Sequence, residues 1–91
     1  MNSEIEDELQ YDPDRLLDEI IRKLRLRNDA ALSRVLDVAP PVISKIRKRR
    51  LGIGASLLIR MHEATYIDIK DLRALMGDRR EKFKIIDPTE L

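Results

Sequence analysis

Ser44 and Lys45 follow Pro41 by three and four residues and precede Lys48 by four and three, and Arg47, Arg49 and Arg50 crowd the end of the same run. On a helix, residues at that spacing share one face. A hydroxyl beside ammonium groups on one stripe offers the donors that read base edges in the major groove. The guanidinium groups around it suit phosphate oxygens. Pro40 and Pro41 donate nothing and can make only apolar contacts, for example with a thymine methyl, so direct readout would fall on Ser44, Lys45 and Lys48. That set favours modest discrimination per half-site, with phosphate contacts and DNA shape supplying the rest.

The elements that must position this stripe are legible in the apolar residues around it. Ala31, Leu32, Val35 and Leu36 precede Asp37, Val38 stands beyond it, and Val42, Ile43 and Ile46 follow. The spacing predicts a short helix opening at Asn28, a break at 37–39 and a second helix over about 40–50, both burying one seam. Val42 borders seam and stripe, so the base-facing candidates are Pro40, Pro41, Val42, Ser44, Lys45 and Lys48. Asn28 can cap the first helix, whose open N–H groups suit a phosphate oxygen. Ala39 has no side-chain oxygen to cap the second, and the two prolines compensate in part. Gly52 permits close backbone approach. With Asn28, Arg47, Arg49 and Arg50 it completes the phosphate candidates; a simple loop, with Gly54 capping the next helix, is the equal alternative for the glycines.

This window resembles the helix-turn-helix of the lambda repressor/Cro-like family of bacterial and phage transcription regulators. Leu32, Leu36, Val38, Ile43 and Ile46 carry the resemblance, and it continues through GASLLIRMHEATYIDIKDLRALMG to cover roughly residues 14 to 77. It implies an all-α fold, a compact bundle of about five helices containing the helix-turn-helix. It also implies a sequence-specific DNA-binding transcription regulator acting as a homodimer, with recognition helices in successive major grooves about 34 Å apart. The family rests the start of the first helix, here Asn28, on the DNA backbone, and its segment after the recognition helix, here around Gly52, skirts the phosphates. Two positions depart from the pattern. Ser33 stands where the family usually has Ala, and Asp37 where it has Gly. Serine is small enough for close packing, and aspartate is among the few non-glycine types that tolerate a left-handed backbone.

Composition sets the outer bounds. Ninety-one residues hold one small domain; 43% are apolar but only 3% aromatic, which favours helices packed on helices. With no cysteine, disulfides and thiolate metal sites are excluded. No apolar run is long enough for a signal peptide or a membrane span, so the expectation is a soluble, cytoplasmic protein. The net charge of +1 hides a strong asymmetry. Residues 1–19 carry eight acidic side chains against one basic, whereas residues 20–50 carry ten basic against two acidic. Positive charge is thus concentrated on and just before the basic stripe.

The flanks divide accordingly. Residues 1–12 read as an acidic tail, either solvated or an arm that competes with DNA for the basic face or meets a partner. Residues 13–77 read as the expected helix-turn-helix DNA-binding domain, opening on an Asp12 cap, Pro13 and the stripe Leu16, Leu17, Ile20, Ile21, Leu24. Arg22, Lys23, Arg25 and Arg27 favour that helix's C-terminal dipole, and some can also face phosphates. Leu57, Leu58, Met61 and Ala64 mark a core helix over 55–65. Asp68 and Asp71 resemble a capping pair before Ile69, Leu72, Leu75 and Met76, and Gly77 ends that helix. In related regulators the last helix helps form a dimer. Residues 78–91 form a C-terminal tail in which Phe83, Lys84 and Ile85 alternate as a short strand would, open to pairing with a second copy, packing on the core or disorder.

Other functions are weaker readings. There is no Ser/His/Asp or Cys/His set and no phosphate loop, so an enzyme is not expected. His62 is the only histidine, which argues for packing or solvent rather than metal, and no cofactor is expected. The scarcity of aromatics leaves no stacking platform for RNA. The alternative from another class is a protein-interaction module, an antitoxin or adaptor gripping a protein partner through the acidic N-terminal segment or the FKII segment.

Overall fold

The structure, a computed structural model, describes residues 11–77 as five helices, and among the described residues there is no strand. The acidic stretch 1–10, the tail 78–91 and with it the expected C-terminal strand lie outside the described residues. The expected all-α bundle is therefore what the chain forms. No helix among the described residues is long and apolar enough to cross a membrane.

Helix α1 spans Pro13–Leu24 and begins as its residue types dictate: the Asp12 carboxylate accepts from the Arg15 amide at 3.3 Å, with Pro13 in the first turn. It buries Leu16, Leu17 and Ile20 completely. Arg25 closes it in the left-handed region (φ 55°), and the Leu26 amide returns to the Ile21 carbonyl at 2.9 Å. Helix α2, Asp29–Val35, is capped by Asn28, whose side chain accepts from the Ala31 amide at 2.9 Å. Helix α3, Pro40–Arg47, starts at Ala39 with no side-chain cap, its prolines occupying the first turn. Helix α4 covers Ala55–Thr65 and helix α5 Ile69–Leu75. Tyr66 separates them in a left-handed conformation, while Thr65 is buried and bridges the Met61 carbonyl and the Ile67 amide.

Helix α1 is the hub, packing against all four other helices, while α2 packs on α3 and α4 on α5. The core is aliphatic: Leu32 and Leu36 from α2 and its end, Ile43 and Ile46 from α3, Leu58 and Met61 from α4, Leu72 and Met76 around α5. Each such side chain contributes about 1.5–3 kcal/mol on burial, so the bundle is held mainly by this apolar interior. Tyr11 packs against that core and the Asp12 amide donates to the Met76 carbonyl at 2.8 Å. Tyr11, expected in the tail, and Asp12, expected both at the tail's end and as the helix cap, therefore belong to the fold and close its two ends together.

Three local expectations need correction. Val35, expected in the seam, is 43% exposed. Leu32, Ser33 and Leu36 occupy the inward side of α2, and at about 100° per residue Val35 falls beyond its edge. Asp68 stands at the start of α5 but makes no side-chain capping bond. The second helix of the motif ends at Arg47 rather than Arg50, because Arg49 turns left-handed (φ 61°). The Arg49 and Arg50 amides then close on the Ile46 and Lys45 carbonyls at 3.1 and 2.8 Å, a tight helix stop that returns the chain toward the core.

Candidate nucleic-acid interface

Ser33 and Asp37 settle into the geometry that the turn needs. Ser33 is buried, and its hydroxyl donates to the Ala30 carbonyl at 2.7 Å, so the polar group is satisfied inside α2. Asp37 adopts φ 55° in the four-residue turn between Val35 and Pro40. Arg60, reaching across from α4, donates to the Leu36 and Asp37 carbonyls at 3.1 and 2.5 Å. That contact, invisible to local patterning, braces the turn that sets α3 against α2.

On α3, Ile43 and Ile46 face inward, and Pro40, Pro41, Ser44, Lys45 and Lys48 are exposed. The side chains of Ser44, Lys45, Lys48 and Arg50 make no hydrogen bond or ion pair to any described residue. Val42, expected on the border of seam and stripe, is half-buried and packs against the core, one step from Ile43 round the helix. The stripe therefore narrows to a proline edge, one hydroxyl and two ammonium groups.

Arg47 departs further, and for an electrostatic reason. Its guanidinium donates to both carboxylate oxygens of Asp29 at 3.1 and 2.8 Å, to Asp14 at 2.9 Å and to Asp18 at 2.8 Å. Only 24% of its side chain is accessible. Pairing with Asp29 above all, against the opposing effect of partial burial, holds Arg47 more firmly protonated than usual. The Arg47 hydrogen bond in turn is the largest influence keeping the Asp14 carboxyl below its ordinary value of 3.8, and Arg49 adds to it. Arg49 reaches Asp14 at 3.1 Å and Asp12 at 3.4 Å while remaining exposed. Two of the expected phosphate ligands are thus engaged by the protein's own carboxylates. One is a pin joining α1, α2 and α3, and the other is a partner of the α1 start.

The remaining phosphate candidates, Asn28, Arg50 and Gly52, are all exposed. The Asn28 side chain is used as the α2 cap, which leaves its neighbours' amides rather than its own oxygen to face an anion. A Cβ built on Gly52 would meet nothing within 4 Å, so the glycine is not required by packing. Between Gly52 and Gly54, Ile53 is buried and anchors the loop to the core, a role that patterning around two glycines conceals. His62 is half-buried, with Nδ1 at 2.8 Å from the Ile67 carbonyl. Among the described residues no group of His, Cys, Asp and Glu is placed to hold a metal ion. Comparison of the chain with models of known families, with curated proteins and with solved structures finds no match.

Proposed function

We propose that the protein is a sequence-specific DNA-binding transcription regulator that lays α3 in the major groove. The observation that carries this reading is the exposed α3 stripe. Ser44, Lys45 and Lys48 stand outward and unpaired among the described residues, while neighbouring Arg47 and Arg49 are drawn into carboxylate pairs. Cations left without a partner on a helix whose opposite face is core suit an anionic ligand supplied from outside. Lys45 and Lys48 take the base edges and the nearest phosphates, with Ser44 beside them and Pro41 against a thymine methyl. Arg50, the Gly52 backbone and the α2 start at Asn28 approach the phosphate backbone. A second copy on the adjacent half-site, in the manner of the family that the sequence resembles, supplies the other recognition helix.

The test is fluorescence anisotropy on duplex DNA from the protein's own upstream region, with a random duplex as competitor, across a salt series. Tight binding that survives competitor is expected. The logarithm of affinity should fall with the logarithm of salt by about 0.9 per phosphate contact. Absence of binding to any duplex at low salt overturns the proposal and turns attention to a protein partner.

A further inference from the structure

Residues 1–10 contain Glu4, Glu6, Asp7 and Glu8 and no basic side chain. The segment joins the fold at a fixed root. Tyr11 packs on the core, the Asp12 amide is bound to Met76, and the Asp12 carboxylate lies 3.4 Å from Arg49 Nη2. Arg49 directly follows Lys48, the last cation of the α3 stripe, so this acidic segment begins beside the end of the exposed basic face. Ten extended residues reach at most roughly 33 Å, whereas the eight residues of α3 span about 12 Å. The entire stripe is within reach.

Electrostatics at the root favour that direction. Two guanidinium groups, Arg47 and Arg49, meet four carboxylates there, those of Asp12, Asp14, Asp18 and Asp29. The local excess is negative and repels the acidic segment from the start of α1. Lys45, Lys48 and Arg50 lie next to it, exposed and unpaired among the described residues. The other basic cluster, Arg22 to Arg27, lies at the far end of α1, about 18 Å of helix away, and Arg22 is already paired with Glu19.

We propose that segment 1–10 docks on the exposed face of α3, its carboxylates against Lys45, Lys48 and Arg50. Each exposed pair is weak and screened by salt. Tethering compensates, because a short connection holds the segment at about millimolar local concentration. The contact itself does not depend on DNA binding; its consequence rests on the function proposed above. If DNA occupies the same face, the segment must leave first, and affinity for specific and random duplexes falls by the same factor.

The test uses the full chain with Glu4→Gln, Glu6→Gln, Asp7→Asn and Glu8→Gln combined. These positions lie outside the described residues, and equal thermal midpoints confirm an intact fold. The first readout is the NMR amide shifts of Ser44, Lys45, Lys48 and Arg50. They are expected to differ between the two chains at low salt and to converge at about 1 M salt, where the screening length is about 3 Å. Shifts that coincide at low salt overturn the proposal. The second readout is affinity for a random duplex, expected to rise about tenfold at low salt in the neutralised chain, given millimolar tethering. A control chain carrying Glu63→Gln, Asp68→Asn and Asp71→Asn removes acidic charge from elsewhere, and an equal gain there overturns the docking. If no chain binds any duplex, the DNA reading fails, and the amide shifts alone decide whether the segment docks.

Discussion

Arg47, the last residue of α3, donates at 2.9 Å to Asp14 in the first turn of α1, across 33 residues of sequence. The same guanidinium holds Asp29 in the first turn of α2 through two hydrogen bonds. One side chain therefore joins three helices at the point where the basic helix ends. Removing it leaves Asp14, Asp18 and Asp29 close together without their shared counter-charge. Arg47→Ala is expected to lower stability by about 2 kcal/mol, read as a lower urea midpoint at constant slope. Arg47→Lys should recover only part, because an ammonium cannot reproduce the planar fork. A midpoint unmoved in Arg47→Ala would show that the cluster contributes nothing to folding.

The acid response follows from the same contact. Asp14 titrates below its ordinary value of 3.8 in the folded chain, chiefly through the Arg47 hydrogen bond. A carboxyl depressed by folding stabilises the fold fully above its unfolded value. That stabilisation is lost as pH falls through about 3.8 toward the depressed native value. Thermal midpoints of the natural chain should therefore drop more steeply in this acid window than those of Asp14→Asn. Parallel profiles would be the contrary result.

Lys45→Ala combined with Lys48→Ala separates ligand contact from folding. Both side chains are exposed and unpaired among the described residues, so stability should change by less than about 0.5 kcal/mol. Duplex affinity should fall strongly, and the salt slope should shrink by about 0.9 for each phosphate contact removed. Retained affinity in the double variant would exclude α3 as the contact surface.

At the turn, Asp37 holds φ 55°. Asp37→Gly should stay within about 0.5 kcal/mol of the natural chain, since relief of left-handed strain is offset by glycine's greater chain entropy. Asp37→Val should cost about 1–2 kcal/mol, because a β-branched residue is poorly accommodated there. Equal denaturation midpoints for the two variants would contradict this account of the turn.

Gly52→Ala tests the loop beyond α3. The added methyl has open space around it, so the melting curve should not move. Under the proposed DNA-binding reading duplex affinity should nevertheless fall, because the added Cβ would stand where a phosphate is proposed to approach the backbone. An unaltered affinity would reduce Gly52 to a loop residue.

The helical faces were legible in the sequence because periodicity is local. Leu16, Leu17 and Ile20, then Leu32 and Leu36, then Ile43 and Ile46 repeat at helical spacing, and all are buried. Capping was legible at Asp12 and Asn28, whose side chains adjoin their helices, but not at Asp68, which adjoins α5 and makes no capping bond. The left-handed turn at Asp37 was suggested by the family resemblance, which has Gly there, and aspartate is a type that tolerates it. Ile53 was not legible, since two flanking glycines look like free loop, although a single apolar side chain anchors it.

Which cations remain available was settled only by tertiary structure. Lys45, Arg47, Lys48, Arg49 and Arg50 form one undivided basic run in the sequence. Folding brings Asp14, Asp18 and Asp29, from 18 to 33 residues away, up to Arg47 and leaves Lys45, Lys48 and Arg50 without partners among the described residues. A helix period is set by neighbouring residues, so the sequence alone determined the faces. An ion pair is set by distance in space, so only the packing of α1 and α2 against α3 determined which charges were spent.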